Sequence, residues 1–443
     1  MNLLNGHTRS SVLKKNIIAS IITKGISIAT SFLMVPLTLN YVNKELYGIW
    51  LTLSSIILWL NFFDIGFTLG LKNKLAEALA VKDYTLGKKL VSTTYYMMIV
   101  IFIPLLIVII GIIPFINWSS LLNVDPQYEG DIIKVLDLLT LFTALQMFLN
   151  VLSTVVSAYQ KIAMSSIFTT LGQVLSLIFI FILTKTVPPS LITLAIAISI
   201  APIIVLIFFS IYLYKGEFRN VSPSLRFVKR NMIGELFGMG IKFFIIQMQV
   251  LILYQSTNLI ISHIAGPTNV TQYNIAYKYL SVATMVYNII LAPLWPAFTD
   301  AYTLKDYAWM RKIYRKMCYI YLCVLGSLIV LTIIAPFVYK IWVGDQVNVP
   351  ATFTICIAIF LAVNSWDSLQ VYMINGIGSI KLQTYIVIIG LVCHIPLALF
   401  LGNKVGAVGV VLSMTCINII YTCVFTTQIN KLLNKTAKGI WIE

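Results

Sequence analysis

Runs of about 20 apolar residues recur from end to end of this chain, and no other feature constrains its fold so strongly. As a helix, such a run is about 30 Å long, the thickness of a bilayer's hydrocarbon core. Lipid offers no partner to a backbone N–H or C=O, so a spanning segment must close its hydrogen bonds on itself. The runs predict twelve helices, at 16–40, 47–70, 91–116, 133–158, 162–184, 190–214, 236–262, 271–298, 317–342, 351–375, 382–402 and 406–430. Composition agrees: the 443 residues are 59% hydrophobic and 10% charged, against about 25% charged in a soluble domain. The first run is too long for the apolar core of a cleavable signal peptide, so none is expected.

With an even number of spans both termini share a side, and the distribution of lysine and arginine decides which. Of the 31 basic residues, 23 fall in the termini and in the loops on one side, and 4 (Lys44, Lys185, Lys340, Lys404) on the other. The loop at 117–132 carries Asp125, Glu129 and Asp131 and no base. The basic side is therefore expected to be cytoplasmic. The net charge of +16 is a topology signal rather than a nucleic-acid footprint.

The loops also carry a duplication. "VKDYTLGKKL" (Val81–Leu90) follows helix 2 and "LKDYAWMRKI" (Leu304–Ile313) follows helix 8, an offset of 223 residues. "YGIW" and "YNIA" open the same two helices at an offset of 226. Six helices separate the members of each pair, which implies parallel repeats about an axis along the membrane normal. The expected organisation is an all-α polytopic membrane protein with two six-helix lobes. Residues 1–214 form the first lobe, 215–235 a polar, basic cytoplasmic linker, and 236–443 the second lobe with a cytoplasmic tail.

Four lysines, at 24, 134, 242 and 278, lie inside spans. Near the middle of a span a lysine costs about 2.5–3.5 kcal/mol, so it should face protein or water rather than lipid. On helix 1, Lys24 shares a face with Ser20, Ser27, Ser31 and Thr38. Helix 8 repeats the arrangement with Thr271, Asn274, Lys278, Ser281 and Asn288. Small hydroxyl residues also pack helices closely, which accounts for serines but not for lysines. Both stripes are expected to line a cationic cavity. Lys242 either joins them or snorkels to the surface.

Among the acids, Asp137 is expected to pair with Lys134 one turn away. Asp64 either pairs with a cytoplasmic base at a gate or is solvated. Asp367, in "NSWDSLQ", lies deeper and is the better candidate for a coupling cation or proton. The six cysteines all lie within apolar runs and are expected to be small core fillers rather than disulfides. No phosphate loop, zinc-ligand spacing or nucleophile elbow is present, no cofactor is implied, and no external loop exceeds about 20 residues. An enzyme is not expected.

The segments "LNYVNKELYGIWLTLSSIILWLNFFDIGFTLGLKNKLAEALAVKDY", "QYNIAYKYL" and "LAPLWPAFTDAYTLKDYAWMRKIYRK" resemble polysaccharide flippases of the Wzx type. These patterns are diffuse, but the resemblance runs nearly the whole chain. It implies the exporter superfamily that includes multidrug transporters, with two six-helix lobes around a central cavity. It also implies a substrate, undecaprenyl-pyrophosphate-linked oligosaccharide, moved across the bacterial inner membrane by alternating access. A polysaccharide polymerase and chain-length machinery would be the working partners. In that family an aspartate often precedes the "NLIIS" run of helix 7. Thr257 stands there in "QSTNLIIS", so no cation-binding role carries over to it.

Lysines in the cavity would offset desolvation of the pyrophosphate. Three other readings stay open: a small-molecule cation antiporter of the same superfamily, a membrane-embedded assembly enzyme, and a nontransporting scaffold. The first would favour an acidic cavity, and the last leaves the polar stripes unexplained.

Orientation is directly testable. Reporters fused after Lys89, Arg230 and Lys435 should read cytoplasmic and one near Glu129 external, while an external signal at Arg230 would break the six-plus-six repeat.

Overall fold

Short polar side chains mark where the apolar runs start and stop. The Asn43 side chain accepts from the N–H groups of Glu45 and Leu46 at 3.0 and 2.9 Å, and Asn117 caps the helix after it by accepting from Ser120 at 2.9 Å. Each cap satisfies N–H groups that the first turn of a helix leaves without partners.

In the computed structural model, which describes residues 6–64, 67–159, 161–234, 255–291 and 294–442, every regular element is a helix. The chain divides into two compact units, residues 1–248 and 249–443. The first contains α1 (Gly6–Tyr41), α2 (Lys44–Ile57), α3 (Phe67–Ala80), α4 (Tyr84–Ile112), α5 (Trp118–Leu122), α6 (Glu129–Ala158), α7 (Ile162–Thr186) and α8 (Leu191–Lys215). The second contains α9 (255–265), α10 (Pro267–Leu291), α11 (Leu294–Thr303), α12 (Tyr307–Val343), α13 (Ala351–Ile377), α14 (Lys381–Val405) and α15 (Ala407–Leu433).

Nine described segments are long and apolar enough to cross a membrane. Three of the twelve expected spans are missing from that set. The span at 236–262 falls largely outside the described residues. The other two are helices 2 and 8, of which helix 2 is interrupted. The run at 47–70 becomes α2, a 3-10 segment at Leu58–Asp64, and α3. The run at 271–298 holds α10 and α11, and Ala292 and Pro293 between them lie outside the described residues.

The two units share one pattern of neighbours. In the first, α6 is the hub, packing on α2, α3, α4 and α8, and α8 packs in turn on α7. In the second, α13 packs on α10, α11, α12 and α15, and α15 on α14. In the first unit Leu71, Leu75, Val91, Val151, Leu152 and Val155 form part of one buried cluster. Between helices in lipid such contacts act by close packing rather than by removing apolar surface from water. The outward faces stay apolar and exposed, as at Ile107, Phe208, Ile333 and Phe337, which suits a lipid solvent.

The duplicated Lys-Asp-Tyr is a structural device. Lys82 and Lys305 adopt the left-handed conformation, with φ of 60° and 58°. Behind them, the N–H of Asp83 bonds the carbonyl of Ala78 at 2.9 Å and that of Lys82 bonds Leu79 at 3.1 Å. Asp306 and Lys305 make the same pair to Ala301 and Tyr302 at 2.8 and 3.0 Å. This is a Schellman stop. The aspartates then cap the next helices, accepting from Leu86 at 2.8 Å and from Trp309 at 2.9 Å. One tripeptide therefore ends one helix and starts another in each unit.

Two expectations need correction. Lys134 is exposed and makes no ion pair with Asp137, one of whose carboxylate oxygens is buried without a partner; i, i+3 spacing permits the contact without enforcing it. The cysteines are free, as expected, but Cys323, Cys393, Cys416 and Cys423 lie on exposed helix faces and only Cys318 and Cys356 are partly covered. The polar segment after α8 packs against α4 as far as it is described. Phe218 and Val221 are fully buried, and the hydroxyls of Ser92 and Thr93 on α4 accept from the N–H groups of Ser224 and Lys229, both at 3.0 Å.

The caps predict a paired stability pattern in detergent unfolding. Asp83→Ala and Asp306→Ala should each cost about 1 kcal/mol. Lys82→Gly and Lys305→Gly should each add about 1 kcal/mol by relieving left-handed strain. Destabilised glycine variants would show that the lysine side chains have another role.

Candidate functional site

Two places in the described structure gather polar groups inside apolar surroundings. The first is a cleft of about 470 Å³ in the first unit, walled by α2, α6, α7 and α8 with Met34 of α1 at its edge. Its polar groups are Ser54, Thr143, Gln146, Asn150, Thr169, Gln173, Ser176 and Ser199, and Trp50 and Phe168 provide aromatic surface. No charged side chain lines it. Thr143, Gln146 and Asn150 follow one another at three- and four-residue steps, so α6 presents them on a single face. Gly172 keeps α7 and α8 close, because a Cβ at that position would lie 3.0 Å from the Cα of Pro202. The hydroxyl of Ser176 then donates to the carbonyls of Gly172 and of Ile198 across the seam, at 3.0 and 3.2 Å.

The second place surrounds Asp367 on α13, which is buried. The hydroxyl of Thr422 on α15 donates to one of its carboxylate oxygens at 2.6 Å, and the other oxygen is buried without a partner. Gln370, one turn along, is fully buried with its carbonyl oxygen unpartnered, and its amide nitrogen lies 3.5 Å from the Tyr314 hydroxyl. The hydroxyl of Tyr421 is also buried without a partner. Tyr421 reaches across to α14, where a Cβ on Gly390 would meet its hydroxyl at 1.9 Å. Several oxygens thus lie out of water with unused lone pairs, an arrangement that a proton or a small cation can satisfy.

The sequence-predicted residues divide between structural and cavity positions. On α1, the Ser27 hydroxyl donates to the side-chain oxygen of Gln173, which lines the cleft. Ser31 is half-buried, Thr38 is buried, and Lys24 is exposed and does not line the cleft. The Ser20 side chain lies outside those described, and so does Lys242. On α10, Asn274 donates to the Asn258 side chain on α9 at 2.9 Å and to the carbonyl of Val270 at 2.8 Å. Thr271 is fully buried, and Ser281 donates to the carbonyl of Lys278 at 2.9 Å. Lys278 is half-buried and Asn288 exposed. Asp64 makes a local cap, accepting from the N–H of Thr68 at 3.1 Å and from its hydroxyl. Thr257 is fully buried with its hydroxyl 3.4 Å from the Met414 sulfur.

A search guided by charge misses Gln146, Asn150, Gln173, Gln370 and Thr422. The amide and hydroxyl periodicity on α6 was the available signal. Gly172→Ala should push α7 off α8 and cost about 1–3 kcal/mol in thermal unfolding, whereas Gly111→Ala, with nothing near its would-be Cβ, should cost far less. Equal losses would show that the α7–α8 seam yields.

Comparison with known proteins fits this geometry. The family model described as "Polysaccharide biosynthesis protein" matches residues 13–302. A protein of Yersinia pseudotuberculosis assigned to O-antigen export is 21% identical over 370 residues, covering 80% of this chain and 81% of the relative. One of Salmonella typhi assigned as an O-antigen transporter is 20% identical over 392 residues, covering 85% and 84%. Among solved structures, an inward-facing multidrug resistance MATE transporter of the MOP superfamily superposes with a TM-score of 0.75 at 15% identity, covering 94% of this chain and all of that one. The lipid II flippase MurJ superposes with a TM-score of 0.66 at 14% identity, covering 95% and 89%. The chain has the MATE-like fold and, by a family match over well more than half its length, belongs to the polysaccharide biosynthesis protein family.

Proposed function

We propose that the protein is a flippase that carries a polyprenyl-pyrophosphate-linked oligosaccharide from the cytoplasmic to the periplasmic leaflet of the bacterial inner membrane, without changing it chemically. The observation that carries this reading is the uncharged, aromatic-walled cleft in the first unit. Sugars offer hydroxyls to amide and hydroxyl side chains and apolar ring faces to aromatic rings. A cationic drug would favour a carboxylate, and this cleft has none. Family membership and the O-antigen relatives support the same substrate class.

In this reading the chain works as two six-helix lobes, 1–214 and 236–443, joined through 215–235, with both termini cytoplasmic. Gln146, Asn150 and Gln173 exchange hydrogen bonds with the glycan while Trp50 stacks on it. Lys24, Lys278 and Lys242 neutralise the pyrophosphate as point charges. The lipid tail stays in the bilayer as head group and sugars cross by alternating access. Asp367 gains and loses a proton or sodium ion as the cycle turns. Asp64 holds the interrupted second helix rather than a gate. The protein works beside a polymerase and chain-length machinery and is not itself an enzyme.

Deleting the gene and complementing it tests the proposal. Without the protein, completed lipid-linked repeat units should accumulate on the cytoplasmic face and the surface polymer should disappear. Removing two cleft contacts, as in Gln146→Ala with Asn150→Ala, should cut export about thirtyfold at about 1 kcal/mol per hydrogen bond. Lys24→Ala and Lys278→Ala should lower export at normal protein levels, and Asp367→Asn should weaken its dependence on an ion gradient. Unfinished units would place the protein in assembly instead. Normal arrival in the periplasm, with any related flippase also removed, would overturn the reading.

A further inference from the structure

Helix α12 is longer than a membrane requires. Its 37 residues extend about 55 Å, against about 30 Å of hydrocarbon. Its exposed face is continuous and changes character once. From Leu322 through Ile329, Val330, Ile333 and Phe337 it is apolar and exposed. Tyr319 to Lys340 covers about 31 Å, a hydrocarbon thickness, with an aromatic at one edge and a lysine at the other. About 18 Å of helix therefore projects beyond Tyr319.

On that projection Arg311, Lys312, Arg315 and Lys316 line, with Ala308 and Tyr319, a shallow groove of about 370 Å³. Lys312, Arg315 and Lys316 are exposed. Arg311 is anchored, donating to the carbonyl of Leu433 at the end of α15 at 3.1 Å. α12 contains no acidic residue, and among the described residues none of the four bases pairs with a carboxylate. At about 1.5 Å per residue the basic residues lie about 5–12 Å from Tyr319, the depth of phospholipid head groups.

We propose that this groove binds the head groups of anionic phospholipids, with their acyl chains along the apolar face of α12, in the leaflet that meets the basic loops. The orientation proposed above makes that the cytoplasmic leaflet. Charge complementarity favours an anion, and the unbroken apolar face below favours one with acyl chains. The groove holds no amide, serine or threonine side chain to recognise sugars, which separates it from the cleft of the first unit. Basic residues beside a membrane span typically add about 1 kcal/mol each to anionic-lipid attraction. The site would make the working of the C-terminal unit sensitive to the anionic lipid content of the membrane.

The test uses the full chain in nanodiscs with spin-labelled phosphatidylglycerol or phosphatidylcholine, comparing the immobilised fractions. Both leaflets are open there and no transport is measured, so failure of the flippase or orientation reading leaves the result interpretable. The wild type should prefer phosphatidylglycerol, and added salt should weaken the preference. The triple variant Lys312→Gln, Arg315→Gln, Lys316→Gln should lower it about a hundredfold, and Lys312→Arg with Lys316→Arg should keep it. No preference in the wild type, or an undiminished one in the triple variant, overturns the proposal. So does displacement of the labelled lipid by undecaprenyl pyrophosphate but not by unlabelled phosphatidylglycerol, which would make the groove a substrate entrance.

Discussion

Everything in this protein depends on a backbone that must satisfy its own hydrogen bonds in a solvent that offers none. That requirement turns the apolar runs into helices, and it makes each departure from helix costly enough to need local chemistry. The 3-10 segment at Leu58–Asp64 ends in an aspartate that takes up the Thr68 N–H and hydroxyl. The stops at Lys82 and Lys305 are closed by two backbone bonds and an aspartate cap each.

The same economy governs the polar interior. In the first unit, polar side chains largely answer one another across helix seams, as in Ser176 to Ile198 and Ser27 to Gln173, and leave an open, neutral, wettable surface. In the second unit, lone pairs on Asp367, Gln370 and Tyr421 remain unused. Unmet buried groups are expensive unless something comes to meet them. A neutral cleft suits a large polyhydroxylated cargo. Unmet oxygens around a carboxylate suit a small cation. In the proposed reading one unit offers chemistry for cargo and the other for coupling, although both are built on one neighbour pattern.

Most of the helix count was legible because hydrophobic runs of membrane length need no tertiary information. The duplication was legible too, since Lys-Asp-Tyr recurs with its local geometry intact. The sites were legible only in part. Asp367 could be singled out because a carboxylate in an apolar span has few bland explanations. Gln146 and Asn150 drew no attention, because an amide in a membrane helix can equally be a packing contact. Ser27 and Asn274 sat in the stripes read as cavity lining, yet each is used in part to bond a neighbouring helix. The proposed pair Asp137–Lys134 failed because i, i+3 spacing permits a contact without specifying where the inward face lies.

The sequence by itself determined the solvent, the helices, the charge asymmetry between the two sides and the internal repeat. Each follows from local composition or from short motifs acting within one turn. Only the tertiary structure decided which polar residues meet. It put Gln173 beside Ser27, Thr422 against Asp367, and four bases in the groove on α12. It also turned Lys24 outward from the cleft and left four cysteines on exposed faces. The reason is geometric. A helix fixes which residues share a face, but which face is buried and what it touches depend on partners more than a hundred residues away, such as α1 on α7.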